Sequence, residues 1–329
     1  MNSICIVGVY FGHFNNYFQL WLKSCENNPK IDFRIYTDVI YDGMIPKNVT
    51  FVKMSMSQLR ELASKKIGVE VNLQRPYKCC DLKPMYGLIF EDDLHSYEYW
   101  GECDFDLIWG DLFYFLDKYN YREYDKFLPL GHLCIYRNTI QNNKVFMMSG
   151  DYKKGGYRKV LANEKNCVFD EETGISQIYI SNRLPFFRKR VFADITPLYK
   201  RFTLSPFSSW KNSYAKNYKN QIFYCEDGKV YRDFIYKGQL HKEEFMYVHF
   251  RSRGNFIPSK EILEGKPFYI TDEGFILKEG QTTIDIIDKY NKCDSLLREK
   301  CQYWVFVMKY QFRRVYQLFH RFFKKHESS

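Results

Sequence analysis

The chain has 329 residues, enough for one large domain or two small ones with an ample core. Its 45% hydrophobic and 27% charged residues are the balance of an ordinary soluble protein, and its ten cysteines sit in too long and too irregularly spaced a pattern for a disulfide-stapled miniprotein. There is no Cys-x-x-Cys, so free thiols in a reducing compartment are expected rather than a zinc site. A formal charge of +10 favours anionic partners such as nucleic acid, acidic lipid or a phosphorylated substrate.

The first residues run directly into an expected strand, Ser3 to Val9, with no basic segment followed by an apolar core and cleavage site. Ile4 to Tyr10 is a continuous apolar run of the kind central parallel strands show. Asn15 and Asn16 are candidate caps of a helix to about Glu26, and Ile31–Tyr36 and Val49–Val52 read as strands. Ser55 with Gln58 forms a capping-box pattern for a helix to about Ile67. A helix is expected over Asp81 to Phe90, with Pro84 in its first turn. A buried strand follows, Tyr97 to Cys103, and then a short helix, Leu112 to Tyr119, capped by Asp111. Further strands are expected at Leu130–Tyr136, Val191–Ile195 and Phe245–Phe250, with a helix over Thr173–Asn182. Asp227-Gly228 and Thr271–Gly274 mark two hairpins. From about Thr283 to Lys325 the chain reads as helical. Trp304, Met308, Phe312, Val315, Phe319 and Phe322 recur at spacings of three and four, and Lys300, Lys309, Arg313, Arg314, Arg321, Lys324 and Lys325 fill other positions. Such a helix suits an anionic membrane surface, or packing on the domain or on another subunit of a homo-oligomer. No stretch is long and apolar enough to span a bilayer.

The most informative segment is Trp100 to Leu112, which carries Asp104 and Asp106 at the end of the buried strand. Side chains at i and i+2 of an extended backbone point the same way. Two converging carboxylates repel unless a cation or proton lies between them. Mg²⁺ and Mn²⁺ take such hard oxygen ligands together with substrate phosphates, so a metal–diphosphate site is the first expectation. Arg251 and Arg253, close after His249, supply guanidinium groups suited to phosphate oxygens.

Phe11-Gly12, Asn28-Pro29-x-Ile31-Asp32-Phe33, Thr37-Asp38, Tyr77-Lys78-x-Cys80-Asp81-x-Lys83-Pro84 and Trp100-Gly101-x-Cys103-Asp104-x-Asp106 resemble a bacterial family found in capsule and lipopolysaccharide clusters. That family carries a domain-of-unknown-function label and is taken to be glycosyltransferase-like. More broadly the chain resembles GT-A glycosyltransferases, over roughly Ile4 to Phe256. The resemblance implies an α/β fold, a GT-A-like (Rossmann-like) mixed sheet flanked by helices, and the domain is expected over residues 1–280. It does not cover residues 281–329, which the spacing and charge above make a basic amphipathic helical tail. It implies a nucleotide sugar, often UDP-linked, bound at the C-terminal strand ends. Tyr10, Phe11, Thr37 and Asp38 would border the nucleotide, and Lys78, Asp81 and Lys83 would help hold the nucleotide sugar. Asp104 would lie near ribose or metal, with Asp104, Asp106 and His249 as ligands of Mn²⁺ or Mg²⁺. Asp170 or Glu171 would take the acceptor hydroxyl's proton in an inverting reaction, or bind or stabilise the donor sugar in a retaining one. His132 is a candidate for the acceptor side.

The expected activity is therefore transfer of a hexose from a nucleotide donor to a glycan or lipid-linked acceptor in bacterial surface-polysaccharide synthesis. It would take place in the cytoplasm, or peripherally on the inner membrane face. Two alternatives stay open. A metal-dependent phosphohydrolase or nuclease would use the same acids but should show a second His/Asp cluster, and the sequence has seven histidines with no His-x-His. A nucleic-acid binder would interleave basic and aromatic residues across the main domain, whereas the densest such stretch is the terminal segment, so no nucleic acid is expected as partner.

Overall fold

The apolar run near the N-terminus becomes the centre of the main sheet. The computed structural model describes residues 2–150, 155–205, 216–251 and 256–309. Its strands, in chain order, begin with β1 (Ile4–Tyr10), β2 (Asp32–Thr37), β3 (Val49–Lys53), β4 (Tyr99–Cys103) and β5 (Leu107–Trp109). Next come β6 (Lys126–Phe127), β7 (Leu133–Arg137), β8 (Phe186–Phe187) and β9 (Ala193–Asp194). The last six are β10 (Gln221–Glu226), β11 (Lys229–Tyr236), β12 (Gln239–Phe245), β13 (Tyr247–His249), β14 (Phe268–Thr271) and β15 (Gly274–Leu277).

The largest sheet has the order β3-β2-β1-β4-β7-β6-β8. β3, β2, β1 and β4 are mutually parallel, and β7 then runs antiparallel to both β4 and β6. It is the mixed sheet flanked by helices that the sequence leads one to expect. Both faces are covered, which is why β1 reads as unbroken apolar sequence. Ile4 and Ile6 pack with Trp21 and Leu22 of the helix Phe18–Glu26. Cys5 and Val7 face the other way, onto Leu59, Ala63 and Ile67 of the helix Met56–Ile67. That second helix has the Ser55/Gln58 capping box in full.

Strand order reverses between β1 and β4, since the chain moves from β1 out to β3 and returns to β1's other edge as β4. Ligands of open α/β sheets bind at such a switch point, beyond the carboxyl ends of the strands. Asp104 directly follows β4, and Phe11 directly follows β1.

Two smaller sheets complete the fold. An antiparallel one has the order β12-β11-β10-β14-β15. Its Asp227-Gly228 turn has both residues at positive φ, as a two-residue hairpin requires. A second such turn, Lys237-Gly238, adds β12, a strand the sequence reading does not include. The third sheet, β5-β13-β9, has three short strands and joins segments far apart in sequence.

Three expectations change. The helix expected over Asp81–Phe90 is instead a 3-10 run, Pro76–Met85, followed by one short α-helical segment, Tyr86–Ile89. Pro84 lies inside the run, where it lacks the N–H an α-helix would use. The predicted continuous C-terminal helix is interrupted. The helix Ile284–Tyr290 ends at Asn291, whose side chain is spent on the backbone of Phe202 and Gln221. Ser295 then caps a new helix over 296–309. That second helix is tied to the body through Glu299, which pairs with Arg201. Phe312, Val315, Phe319, Phe322 and the basic residues from Arg313 onward lie outside the described residues. Finally, Asn15 accepts from the amide of Tyr17 but does not cap the first helix, which starts at Phe18. Among the described residues no disulfide joins any two cysteines, and no helix is long and apolar enough to cross a membrane.

Asn28 explains part of the first sequence motif. It is buried, donates to the carbonyls of Ser24 (3.0 Å) and Gly110 (2.9 Å), and accepts from the amide of Leu112 (2.9 Å). It thereby locks the end of the first helix to the end of β5. Gly110 lets the strands close there, because a Cβ would come within 2.8 Å of the Phe245 carbonyl. Replacing Asn28 by Ala removes three buried hydrogen bonds, to the carbonyls of Ser24 and Gly110 and the amide of Leu112, so urea unfolding should show a loss of about 2–4 kcal/mol. A loss under about 1 kcal/mol would show that this lock carries little of the stability.

Candidate functional site

The site begins where β4 stops. The chain bends after Cys103 and continues as β5 from Leu107. Phe105 turns inward and packs against Tyr10, Trp21 and Phe18. Its ring lies on Gly8, where a Cβ would collide with it. With Phe105 driven into the core, the residues on either side, Asp104 and Asp106, line a cleft of about 1190 Å³. The pair therefore shares a side even though the backbone between them is bent rather than extended.

The three-stranded sheet supplies what the acidic pair lacks. β13 pairs antiparallel with β5 and parallel with β9, which sets His249 opposite Leu107 on one side and Asp194 on the other. His249 Nε2 lies 3.3 Å from Asp106 Oδ1. Its Nδ1 donates to Asp194 Oδ1 at 3.0 Å. Arg251 binds the same carboxylate through Nε (2.9 Å) and Nη2 (2.7 Å). Burial works against a charged imidazole, but the carboxylates of Asp106 and Asp194 overcome it and raise the His249 pKa to about 10. The same contacts to His249 and Arg251 hold Asp194 far below the usual carboxylate range despite its burial.

Ligand atoms of Asp104, Asp106 and His249 all lie within 4.8 Å of one another. An ion about 2.1 Å from each oxygen closes such a span with small side-chain movements. Two hard oxygens and one imidazole nitrogen fit Mn²⁺ or Mg²⁺. Asp194 fixes the ring of His249 and would serve as the outer carboxylate of a ligating histidine, leaving Nε2 for a metal. A second grouping, His132, Asp194 and His249, is also close enough to hold an ion. There all three residues are buried and Asp194 is held by Arg251 and by Nδ1 of His249, whereas Asp104 and Asp106 are partly open to the cleft, so the first grouping is the better candidate.

Lys83 ties the rest together. Its buried ammonium binds Asp104 and the Gly131 carbonyl (2.6 Å), lies 3.4 Å from Asp170 and 3.9 Å from Glu102. Burial alone would discharge it, but these acids keep it charged and raise its pKa well above the usual lysine value. Burial raises the pKa of Asp170, partly offset by Lys83. Burial and then the charge of Asp170 do the same for Glu171. Gly131 allows the close approach, since any Cβ there would strike the Asp170 carboxylate. His132 lines the cleft with its Nδ1 2.7 Å from the Tyr247 hydroxyl, and burial lowers its pKa.

The other expected residues divide. Tyr10 and Phe11 line the cleft. Thr37 and Asp38 are not among its lining; Thr37 accepts from the amide of Val39, and Asp38 from that of Gly12 at 3.3 Å, which steadies the loop carrying Phe11. Lys78 and Asp81 are buried and bonded to each other at 2.7 Å, away from the cleft wall. Lys78 also binds the carbonyls of Val160 (2.7 Å) and Lys165 (3.0 Å), while Asp81 accepts from the amides of Cys167 (2.7 Å) and Phe169 (2.8 Å). Their work is to pin the segment leading to Asp170. Arg251 faces the cleft, but two of its nitrogens are committed to Asp194. Arg253 lies outside the described residues. Asp194 and Glu102 are the site acids that the sequence reading did not single out. Both are acids inside otherwise apolar strands, a composition that marks a buried charge with partners.

The family model described as a family of unknown function (DUF6625) matches residues 6–279. The chain belongs to that family. No curated protein sequence matches it. Among solved structures it is similar to the galactosyltransferase LgtC in complex with donor and acceptor sugar analogs, with 8% identity, TM-score 0.34, and coverage of 59% of this chain and 76% of that one. An active-site mutant of LgtC gives 7%, 0.34, 59% and 75%. The glycosyltransferase GlyE of Streptococcus pneumoniae TIGR4 gives 12%, 0.29, 57% and 45%. Identities and scores this low leave the site's own geometry to decide what it does.

Two outcomes test the site. A cation must displace the proton on His249 Nε2, so below the histidine's raised pKa Mn²⁺ affinity should fall about tenfold per pH unit between roughly pH 8 and 6. Titration calorimetry on the wild type and on His249→Ala checks this. A flat profile in the wild type would remove His249 from the ligand set. Lys78→Met should destabilise the protein by about 3–5 kcal/mol in urea unfolding, because it strands Asp81 in the interior.

Proposed function

We propose that this protein is a metal-dependent glycosyltransferase that moves a hexose from a nucleotide sugar, UDP-linked by the resemblance of its motifs, to a glycan or lipid-linked acceptor. The observation that carries the reading is the convergence of Asp104, Asp106 and His249, backed by Asp194, at the switch point of a parallel sheet. Asp104, Asp106 and His249 would hold Mn²⁺ or Mg²⁺. Such an ion, when bound, supplies Lewis-acid neutralisation of a diphosphate leaving group.

The chain's own groups supply the rest. Tyr10 and Phe11, at the end of β1, flank the nucleoside end of the cleft. Arg251 and Asp194 orient His249. Lys83 holds Asp104 toward the metal and Asp170 toward the reacting sugar, and its charge favours anionic phosphate nearby. Asp170 and Glu171 are carboxyl groups with raised pKa in a cleft, the setting in which acids serve as proton acceptors or as stabilisers of a developing oxocarbenium ion. As general base, Asp170 or Glu171 takes the acceptor hydroxyl's proton while the oxygen attacks the anomeric carbon and the nucleoside diphosphate leaves. In a retaining reaction the same acids face the donor ring. Exposed Trp304 and Met308 on the last described helix, with Lys300 and Lys309, support a peripheral position at an anionic surface. The resemblance to a family of capsule and lipopolysaccharide clusters supports a product among bacterial surface polysaccharides.

The test is a donor screen by UDP or GDP release with Mn²⁺. One nucleotide sugar should be turned over, Asp106→Ala should abolish turnover, and Asp170→Asn should slow it by about 10²–10⁴-fold if that residue is the base. If no nucleotide sugar binds with or without Mn²⁺, the reading fails.

A further inference from the structure

The cleft is larger than the ~300–1,000 Å³ of a typical single-ligand pocket, at about 1190 Å³. It has room for two substrates. Its polar centre is accounted for above, but one wall is not. In a 3-10 helix residues three apart eclipse one another. The run Pro76–Met85 therefore presents three rows, and Pro76 and Cys79 of one of them also reach the cleft. Lys78 and Asp81 form the buried row that pins the chain. Tyr77, Cys80, Lys83 and, just beyond, Tyr86 form a row that lines the cleft. Tyr77 is thus in register with the lysine that holds Asp104 and Asp170, yet its side chain is left in the open, 74% exposed.

Its backbone is fixed all the same. Asn166 donates to the Tyr77 carbonyl (2.9 Å) and accepts from the amide of Val168 (2.6 Å). Val168 also lines the cleft, is 45% exposed, and has φ +57, a conformation that β-branched residues rarely adopt. Asp81 holds it there by accepting from the amides on either side, Cys167 and Phe169. Strain of this kind persists where the surroundings over-determine it, typically at ligand clamps. Two residues on from Val168 is Asp170.

An exposed aromatic face and an aliphatic side chain, set rigidly beside carboxylates in a polar cleft, match one ligand chemistry. A saccharide ring offers an apolar C–H face to the aromatic and hydroxyls to the acids. We propose that Tyr77, with Val168, is the platform on which the acceptor's sugar ring lies, presenting a hydroxyl to Asp170. This rests on the glycosyltransferase reading and assigns the acceptor end of that site.

The experiment uses the full chain with Mn²⁺ and UDP, and neutral saccharides as probes: glucose, galactose, N-acetylglucosamine and lactose. UDP binding is followed by calorimetry and saccharide binding by saturation-transfer NMR. At least one saccharide should bind through ring C–H protons. Tyr77→Ala should weaken it about tenfold, the scale of one aromatic contact, while Tyr77→Phe stays within about twofold, and the UDP Kd should not change in either variant. If UDP binds and saccharide affinity is the same in Tyr77→Ala as in the wild type, the platform is overturned and the donor site stands. It is likewise overturned if UDP binds and no probe does. If UDP itself fails to bind the wild type, the glycosyltransferase reading falls, and the platform with it.

Discussion

The site depends on one imidazole held between two carboxylates. His249 reaches Asp106 with one nitrogen and Asp194 with the other, and it can do so because β13 is sandwiched between β5 and β9. A buried acid is costly unless charge and hydrogen bonds meet it. Asp194 is met on both oxygens by His249 and Arg251, so it stays ionised and acts as a fixed anchor. The ring is therefore oriented before any ligand arrives, and preorganisation of this kind lets a metal centre bind without first rearranging its supports.

Lys83 is the second organiser. It sits among Glu102, Asp104 and Asp170, so removing its charge would leave two buried acids and a partly exposed one to repel one another. Asp104, in the proposed metal centre, and Asp170, a proposed proton acceptor, are thereby coupled through one side chain. The Lys78–Asp81 pair, one row further in, plays a different part. It makes the scaffold under Val168 and Asp170 stiff.

Much of the frame could be read from the residues. The unbroken apolar run of β1, the Ser55/Gln58 capping box, the Asp227-Gly228 turn and the acidic pair after β4 are local signals, set by neighbours in sequence. What escaped was long-range or depended on how tightly the chain is wound. Nothing local tells Asp194 that it will lie beside His249, fifty-five positions away, since that adjacency comes from sheet pairing. Lys78 and Asp81 are expected from the sequence to help hold a nucleotide sugar, and only the 3-10 winding turns them inward onto each other. Asn291 looked like one more helical residue until its side chain was claimed by Phe202 and Gln221.

That winding has a consequence for how the segment can vary. With three residues per turn, inserting or deleting one residue between Pro76 and Lys83 rotates everything beyond it by about a third of a turn. The lysine that belongs among the acids would then leave the row that faces the cleft. The spacing from Tyr77 to Lys83 thus behaves as a ratchet with a single working tooth.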